Sequence, residues 1–306
     1  MTLERILVVG GGFLGQALAR RLNQLGHRVT ILSSHGNTSQ DLGDAIIVRG
    51  KQEDEKLAAA LLAEHGTVIH TAWGTTPGSS SGQPETEMSA GLAPWLTFLE
   101  TLRRFPSVRL IFLSSGGTVY GNPERVPTSE DSPLRPLSCH GAGKAAAELF
   151  LGALTSFDMT RPVVVRPSNV YGPGQPKRPG FGVVRHLLQC AIDDTPFGRS
   201  GNGMQVRDYL YIDDFTDAIV SLVSRRTVFG TFNVGSGDGT SLRDLISLVE
   251  DAAGRSIRVD PHPPRQGDVD RIVLDVSKLH RTTGWMSSTS LADGISRTWQ
   301  WIRSHH

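Results

Sequence analysis

The sequence predicts an α/β protein with a doubly wound parallel sheet, followed by a smaller C-terminal α/β portion. Three observations predict it. Arg5-Ile-Leu-Val-Val9 is a run of branched apolar residues, the pattern of a strand buried on both faces. Gly10, Gly12 and Gly15 follow at once with the spacing G-x-G-x-x-G, and helical apolar spacing then runs through Phe13, Leu14, Ala17, Leu18, Leu22 and Leu25. Beyond that unit, apolar strands and helical stretches alternate to residue 166.

The glycines carry chemistry because of their flanks. Gly10 permits the tight turn, Gly12 lets backbone N–H groups approach a pyrophosphate, and Gly15 lets the helix pack on the strand. The helix N-terminus adds partial positive charge. This is the opening of a Rossmann dinucleotide site, with Phe13 and Leu14 beside it. The second strand, His27–Leu32, ends at Ser33-Ser34-His35. An acidic residue about 20 positions past the glycines ordinarily takes the adenosine ribose. No carboxylate appears here before Asp41, which weakens the case for NAD over NADP, but no Arg follows to take a 2′-phosphate and His35 is the sole candidate; NAD is expected and NADP is possible.

Ala45–Val48 reads as strand three, the stretch from Glu53 to Glu64 as its helix, and Thr67–His70 as strand four. A Gly/Ser/Thr/Pro loop over 74–84 is long enough to be mobile and to border a site. Residues 85–104 read as a helix interrupted at Pro94, and Val108–Leu113 as strand five. Ser138–Phe150 is the next helix and Pro162–Arg166 strand six. Gly12, Ala72, Ser114 and Pro167 all fall just past strand ends, where such sheets bind ligands, so one crevice can be lined by all four. Ser33 joins them in the expected cofactor set.

After strand six the composition shifts. Residues 167–179 are loop, 181–193 helix, and Gly201–Gly203 a turn. The stretch 213–223 is a helix entered through Asp213-Asp214, good capping chemistry. Phe232–Gly237 is a short strand and turn, 241–253 a helix with Ser241 as cap, and Leu291–Ile302 the closing helix. Pro261-His-Pro-Pro264 is expected to be irregular. The expected division is a dinucleotide-binding domain over 1–168, with 209–231 returning to it, and a substrate-binding portion over 169–208 and 232–306.

Length and composition narrow the class. The 306 residues suit one large or two modest domains, and 38% apolar with 20% charged residues describe an ordinary globular chain. A formal net charge of +1 gives no case for nucleic acid or a membrane surface. No apolar run approaches the roughly 20 residues that span a bilayer. Cys139 and Cys190 form neither a disulfide framework nor a metal motif, which fits a reducing cytoplasm, and no signal peptide precedes the first strand.

Several further blocks appear in order: Ser114-Ser115 with Val119-Tyr120-Gly121, Ser138 to Lys144 with Glu148, Arg166 to Gly174, Arg207 to Asp214, Phe232 to Gly237, and Arg265 to Asp268. With the glycine loop, they resemble the NAD-dependent epimerase/dehydratase family, the extended short-chain dehydrogenases/reductases acting on nucleotide sugars. The resemblance covers nearly the whole chain and is closest to the UDP-sugar 4-epimerase branch. It implies transient oxidation of a sugar carbon by bound NAD, with a Tyr taking the hydroxyl proton. A Lys one turn later holds the nicotinamide ribose, and a Ser or Thr steadies the hydroxyl. It also implies a UDP-linked substrate and a homodimer through helices near 85–104 and 138–150.

Carried onto this chain, Lys144 matches the Lys, but His140 stands where the family has Tyr. Residues four apart share a helix face, so the two can still meet. Two cations repel, so Lys144 should push the His140 pKa below ~6.5 and leave the imidazole neutral. Imidazole is also shorter than phenol by ~2 Å, so a water or a shifted sugar is expected. The usual Ser/Thr position is Gly116, with Ser115 and Thr118 as neighbours able to substitute. Lys51 replaces the usual adenine-binding Asp. On the substrate side, Asn169 matches a position the family uses on the diphosphate or sugar, Arg207 and Arg265 match the two arginines that hold the diphosphate, and Tyr209 and Asp268 match positions lining the nucleotide. Three functions therefore stand. The first is a UDP-sugar epimerase, the second an NADP-dependent 4-keto reductase, and the third a nucleotide-sugar-binding homologue without turnover.

Overall fold

A computed structural model describes residues 3–35, 41–155, 161–178 and 181–305; the end of the loop expected over 167–179 lies outside them. The chain opens β1 (Arg5–Val9), α1 (Phe13–Gln24), β2 (Arg28–Ser33), β3 (Ile46–Arg49), α2 (Glu55–Glu64) and β4 (Thr67–His70). It continues through α3 (Pro84–Glu87), a π-helical turn Met88–Leu92, α4 (Ala93–Leu102), β5 (Arg109–Leu113), α5 (Cys139–Leu154) and β6 (Val163–Pro167). These strands and β10 (Gly230–Val234) form one seven-stranded sheet in the order β10-β6-β5-β4-β1-β2-β3. Its pairings are parallel. The order reverses between β1 and β4, the place where a ligand crevice opens in such sheets.

The strands are apolar because both faces are covered. Ile6 and Val8 pack into one core with Leu18 and Leu22 of α1, while Leu7 and Val9 pack into another with Trp95, Phe98 and Phe112. Side chains alternating along β1 thus feed two opposite cores. β3 departs from this. It is an edge strand, and Ile46 is 62% exposed, so its apolar composition does not report burial there.

The second portion holds β7 (Asn169–Tyr171), α6 (Val183–Asp193), β8 (Phe197–Ser200) and β9 (Val206–Tyr211). After α7 (Ile212–Val223) and β10 come β11 (Gly239–Ser241), α8 (Leu242–Ala253), β12 (Val259–His262), α9 (Ser277–Thr283) and α10 (Leu291–Ser304). β11-β9-β7 make a small sheet, and β12 pairs with β8.

Several local expectations are corrected. The helix expected over 85–104 is not interrupted at Pro94: it runs without a gap from α3 through the π-helical turn into α4, and Pro94 sits just where that turn passes into α4. Asp213 and Asp214 do not cap α7, which begins at Ile212 with no side-chain cap. Asp214 instead accepts the Ser288 hydroxyl at 2.9 Å and the Thr289 N–H at 2.9 Å, tying the chain before α10 to α7. Pro261 lies within a strand, tolerated because the two-stranded ribbon leaves β12 an open edge. β10 keeps residues 232–234 in the large sheet, beyond the 231 expected for the returning segment. Ser138 and Ser241 cap their helices, accepting from the Gly141 and Asp244 N–H groups at 3.1 Å.

Candidate active site

At the end of β1, each glycine answers a different constraint. Gly10 has φ +112°, and a Cβ there would lie 2.7 Å from the Ala72 nitrogen. A Cβ on Gly15 would lie 1.8 Å from the Gly10 carbonyl oxygen. Gly12 is exposed, and a Cβ there would meet nothing within 4 Å. α1 starts at this point without a side-chain cap, so its first N–H groups are available to an anion. The cradle fits a pyrophosphate. Ser33 reaches the same loop, its Oγ 2.6 Å from where a Gly11 Cβ would stand. Ala72 continues β4 alongside β1, its N–H donating to the Val9 carbonyl at 2.8 Å. Phe13 and Leu14 are partly buried in the first turn of α1, and Pro167 closes β6. One member of the expected set is corrected in part. The Ser114 hydroxyl donates to Glu148 and its N–H donates to the Val165 carbonyl at 2.7 Å, so neither of its protons is left for a ligand. On the adenine side, His35 is exposed beside Ser34, residues 36–40 lie outside the described ones, and Lys51 faces Glu53 at 4.0 Å.

Across the crevice, α5 presents His140 and Lys144 one turn apart, 8% and 4% exposed. Lys144 Nζ donates to the Leu113 carbonyl at 2.7 Å and stands 3.9 Å from the centre of the Trp73 ring. Burial pulls its pKa down to about 7, against the opposing pull of Glu87 and Glu148. Burial, reinforced by Lys144, pulls His140 down to about 3, so the imidazole is neutral at pH 7. His140 Nδ1 lies 3.2 Å from the Thr75 hydroxyl, which donates to Glu87 Oε2 at 2.6 Å. Glu87 Oε1 accepts from the Trp73 indole at 2.8 Å.

None of the four tyrosines replaces the missing phenol. Burial raises the pKa of Tyr120 to about 12 and of Tyr209 to about 12, and it raises Tyr171 and Tyr211 as well. Tyr120 is locked in a buried network. It accepts from Arg166 at 2.8 Å and donates to Asn233 at 2.7 Å, while Arg166 pairs with Glu148 at 2.6 Å.

Gly116 has no room for the family's hydroxyl, because a Cβ there would sit 2.7 Å from Leu274 Cδ1 and 2.8 Å from the Arg166 carbonyl. Thr118 carries a buried hydroxyl with no partner among the described residues, and Ser115 is partly exposed. Thr118 lies against α5, its carbonyl oxygen 2.6 Å from where a Gly141 Cβ would stand.

On the facing portion, Asn169 donates to the Asp208 carbonyl at 3.0 Å and is in register with Tyr209. Its amide nitrogen comes within 3.7 Å of a Cβ built on Gly117, so the second portion approaches the segment after β5 here. Arg207 pairs with Asp268 at 2.5 Å, so two residues expected to meet the ligand separately first meet each other. Arg265 is exposed on the same turn, its carbonyl accepting the Asp268 N–H at 3.4 Å. Sequence reasoning missed Trp73, Thr75 and Glu87. Only the position of Trp73 and Thr75 just past β4 pointed to them, and Glu87 looked like any helical surface acid.

A doubly wound sheet with an open glycine cradle at its switch point, facing a buried lysine, defines a dinucleotide-binding α/β protein. More narrowly, the chain belongs to the NAD dependent epimerase/dehydratase family, whose model matches residues 6–235. It is 32% identical over 310 residues to the UDP-glucose 4-epimerase of Mycolicibacterium smegmatis, covering 98% of this chain and 99% of that one. The crystal structure of Thermus thermophilus UDP-glucose 4-epimerase in complex with NAD matches at TM-score 0.90 and 30% identity, covering 99% of this chain and 100% of that one. The Thermotoga maritima UDP-glucose 4-epimerase with UDP-glucose matches at TM-score 0.90 and 28% identity, covering 98% and 99%.

Proposed function

We propose that this chain is a nucleotide-sugar epimerase, acting on a UDP-linked sugar with bound NAD. The observation that carries the reading is the open cradle at Gly12 facing buried Lys144, with His140 one turn earlier. Bound at the glycine loop, NAD supplies a reversible hydride acceptor. Lys144 is placed to hold the nicotinamide ribose, the role its match to the family implies. His140 exchanges the proton of the sugar hydroxyl, and Ser115 or Thr118 steadies that oxygen. Arg207, Arg265 and Asn169 grip the diphosphate, with Arg207 shared between ligand and Asp268. Tyr209 and Asp268 line the nucleotide.

Leu149 and Phe150 of α5 and Met88 of the adjoining π-helical turn are exposed apolar residues, which suits pairing with a second copy of the chain. Among the described residues no helix is long and apolar enough to cross a membrane.

The test is conversion of UDP-glucose to UDP-galactose by the purified protein without added cofactor, with NAD identified by mass spectrometry of the denatured sample. Conversion with bound NAD is expected. Saturable UDP-sugar binding with no conversion selects the binding homologue, a reading that draws on the filled space at Gly116.

A further inference from the structure

We infer that Thr75 and Glu87 form a proton relay behind His140, letting the imidazole exchange a proton with a sugar hydroxyl without becoming a cation. The inference rests on the epimerase reading and answers a difficulty within it. A buried imidazole beside the Lys144 ammonium is a poor place to create an imidazolium, since two neighbouring positive charges repel.

Hydrogen-bond accounting fixes the direction of the relay. The Thr75 hydroxyl has one proton and two neighbours, Glu87 Oε2 at 2.6 Å and His140 Nδ1 at 3.2 Å. A carboxylate can only accept, so the hydroxyl proton points to Glu87. The Thr75 oxygen then accepts from His140, which places the ring proton on Nδ1. A neutral imidazole with its proton on Nδ1 keeps its lone pair on Nε2. That atom makes no hydrogen bond among the described residues and is not enclosed, so it is open to a ligand. The base atom thus faces the crevice and the relay runs away from it.

The local packing is built to admit Glu87. A Cβ on Gly143 would lie 2.4 Å from Glu87 Oε1, and one on Gly91 would lie 2.8 Å from the same atom. Gly143 sits in the interior of α5, where glycine is a poor helix former. Gly91 sits in the π-helical turn that follows Glu87 directly. The charged groups around His140 are Lys144 on its own helix and Glu87 from α3, with Glu148 acting through Lys144.

The step balances as follows. The C–H and O–H bonds of the sugar carbinol break and a C=O bond forms. The hydride goes to the oxidised nicotinamide, and the hydroxyl proton goes to His140 Nε2. The Nδ1 proton moves to the Thr75 oxygen, and the Thr75 proton moves to Glu87. His140 ends neutral with its proton on Nε2, and Glu87 ends as the carboxylic acid. Re-reduction on the other face reverses every transfer.

Two measurements test this. Nitrogen-15 NMR of the histidine-labelled, purified protein reads the His140 tautomer without any turnover. The relay requires the Nδ1–H form in the wild type and in Thr75→Ser, and loss of that preference in Thr75→Val. Turnover should fall at least ~100-fold in Thr75→Val and Glu87→Gln, with Thr75→Ser recovering to within about tenfold of wild type, the scale of acid–base catalysis. A wild-type Nε2–H tautomer, or Thr75→Val turning over within about threefold of wild type, overturns the relay. Wild-type protein that interconverts no UDP-sugar refutes the epimerase reading instead, and the tautomer still decides the relay geometry.

Discussion

The glycine loop after β1 and the corner around His140 are built by opposite means. The loop is a backbone device: its glycines meet constraints within a few residues, and Gly15 and Gly10 touch each other directly. The corner is a side-chain device drawn from α5, α3 and the segment after β4, and its members are 65 and 12 residues apart at the Thr75 contacts. The loop keeps the family's pattern, while the corner has His140 where the resemblance calls for a phenol and Gly116 where it calls for a hydroxyl, with Trp73, Thr75 and Glu87 packed behind them. Backbone sites tolerate little variation because a Cβ is enough to spoil them. Side-chain sites can be reassembled when another set of groups handles the same proton.

The largest expected effect lies at the corner. Lys144→Met should lower turnover by ~10³-fold or more, since it removes the buried cation one helical turn from His140. Steady-state kinetics with UDP-glucose measures this, and a loss under tenfold would remove Lys144 from the mechanism. His140→Ala should cost at least ~100-fold, and His140→Tyr should also fall below wild type, because a phenol has no second proton to pass on to Thr75. Turnover above wild type in His140→Tyr would mean that imidazole is only a weakened stand-in for the phenol and would count against the relay.

The loop is tested by two glycines with opposite surroundings. Gly12→Val should fold normally, because nothing lies within 4 Å of its Cβ, yet weaken NAD binding about 100-fold by filling the phosphate cradle. Gly15→Ala should fail to reach wild-type stability, since its Cβ would sit 1.8 Å from a carbonyl oxygen. Thermal melts and NAD titration separate the two, and equal behaviour would break the distinction.

The smallest effect is on stability against pH. Lys144 drops from 10.5 to about 7 on folding, so between those values the unfolded chain binds more protons. Stability should therefore rise as pH rises from about 7 toward 10.5. His140 drops from 6.5 to about 3, so stability should fall as pH falls below 6.5. Urea unfolding across this range measures both, and Lys144→Met should flatten the alkaline part.

What the sequence made legible follows the same division. Strand and helix positions in the first half are readable because strands buried on both faces are continuously apolar and helices carry a separate periodicity. Gly10, Gly12 and Gly15 are readable because their spacing is a local geometric necessity. His140, Lys144 and the arginines are readable only through resemblance, because nothing in their own neighbourhood marks them. Thr75 and Glu87 are unreadable: a hydroxyl in a polar loop and a carboxylate in a short helix acquire meaning only when folding brings them against His140. Pro261 and Asp213-Asp214 mislead for a related reason, since a proline on an edge strand and an acid holding a distant loop look locally like breakers and caps.

The central claim is that one hydrogen leaves a sugar carbon and returns to it inside the crevice, while His140 manages only the hydroxyl proton. Incubating the NAD-loaded protein with UDP-glucose deuterated at C4 and following the sugar by NMR tests it most directly. Retention of deuterium at C4 of the UDP-galactose formed, in unlabelled water, is the predicted result. Loss of that deuterium to solvent during interconversion would contradict it.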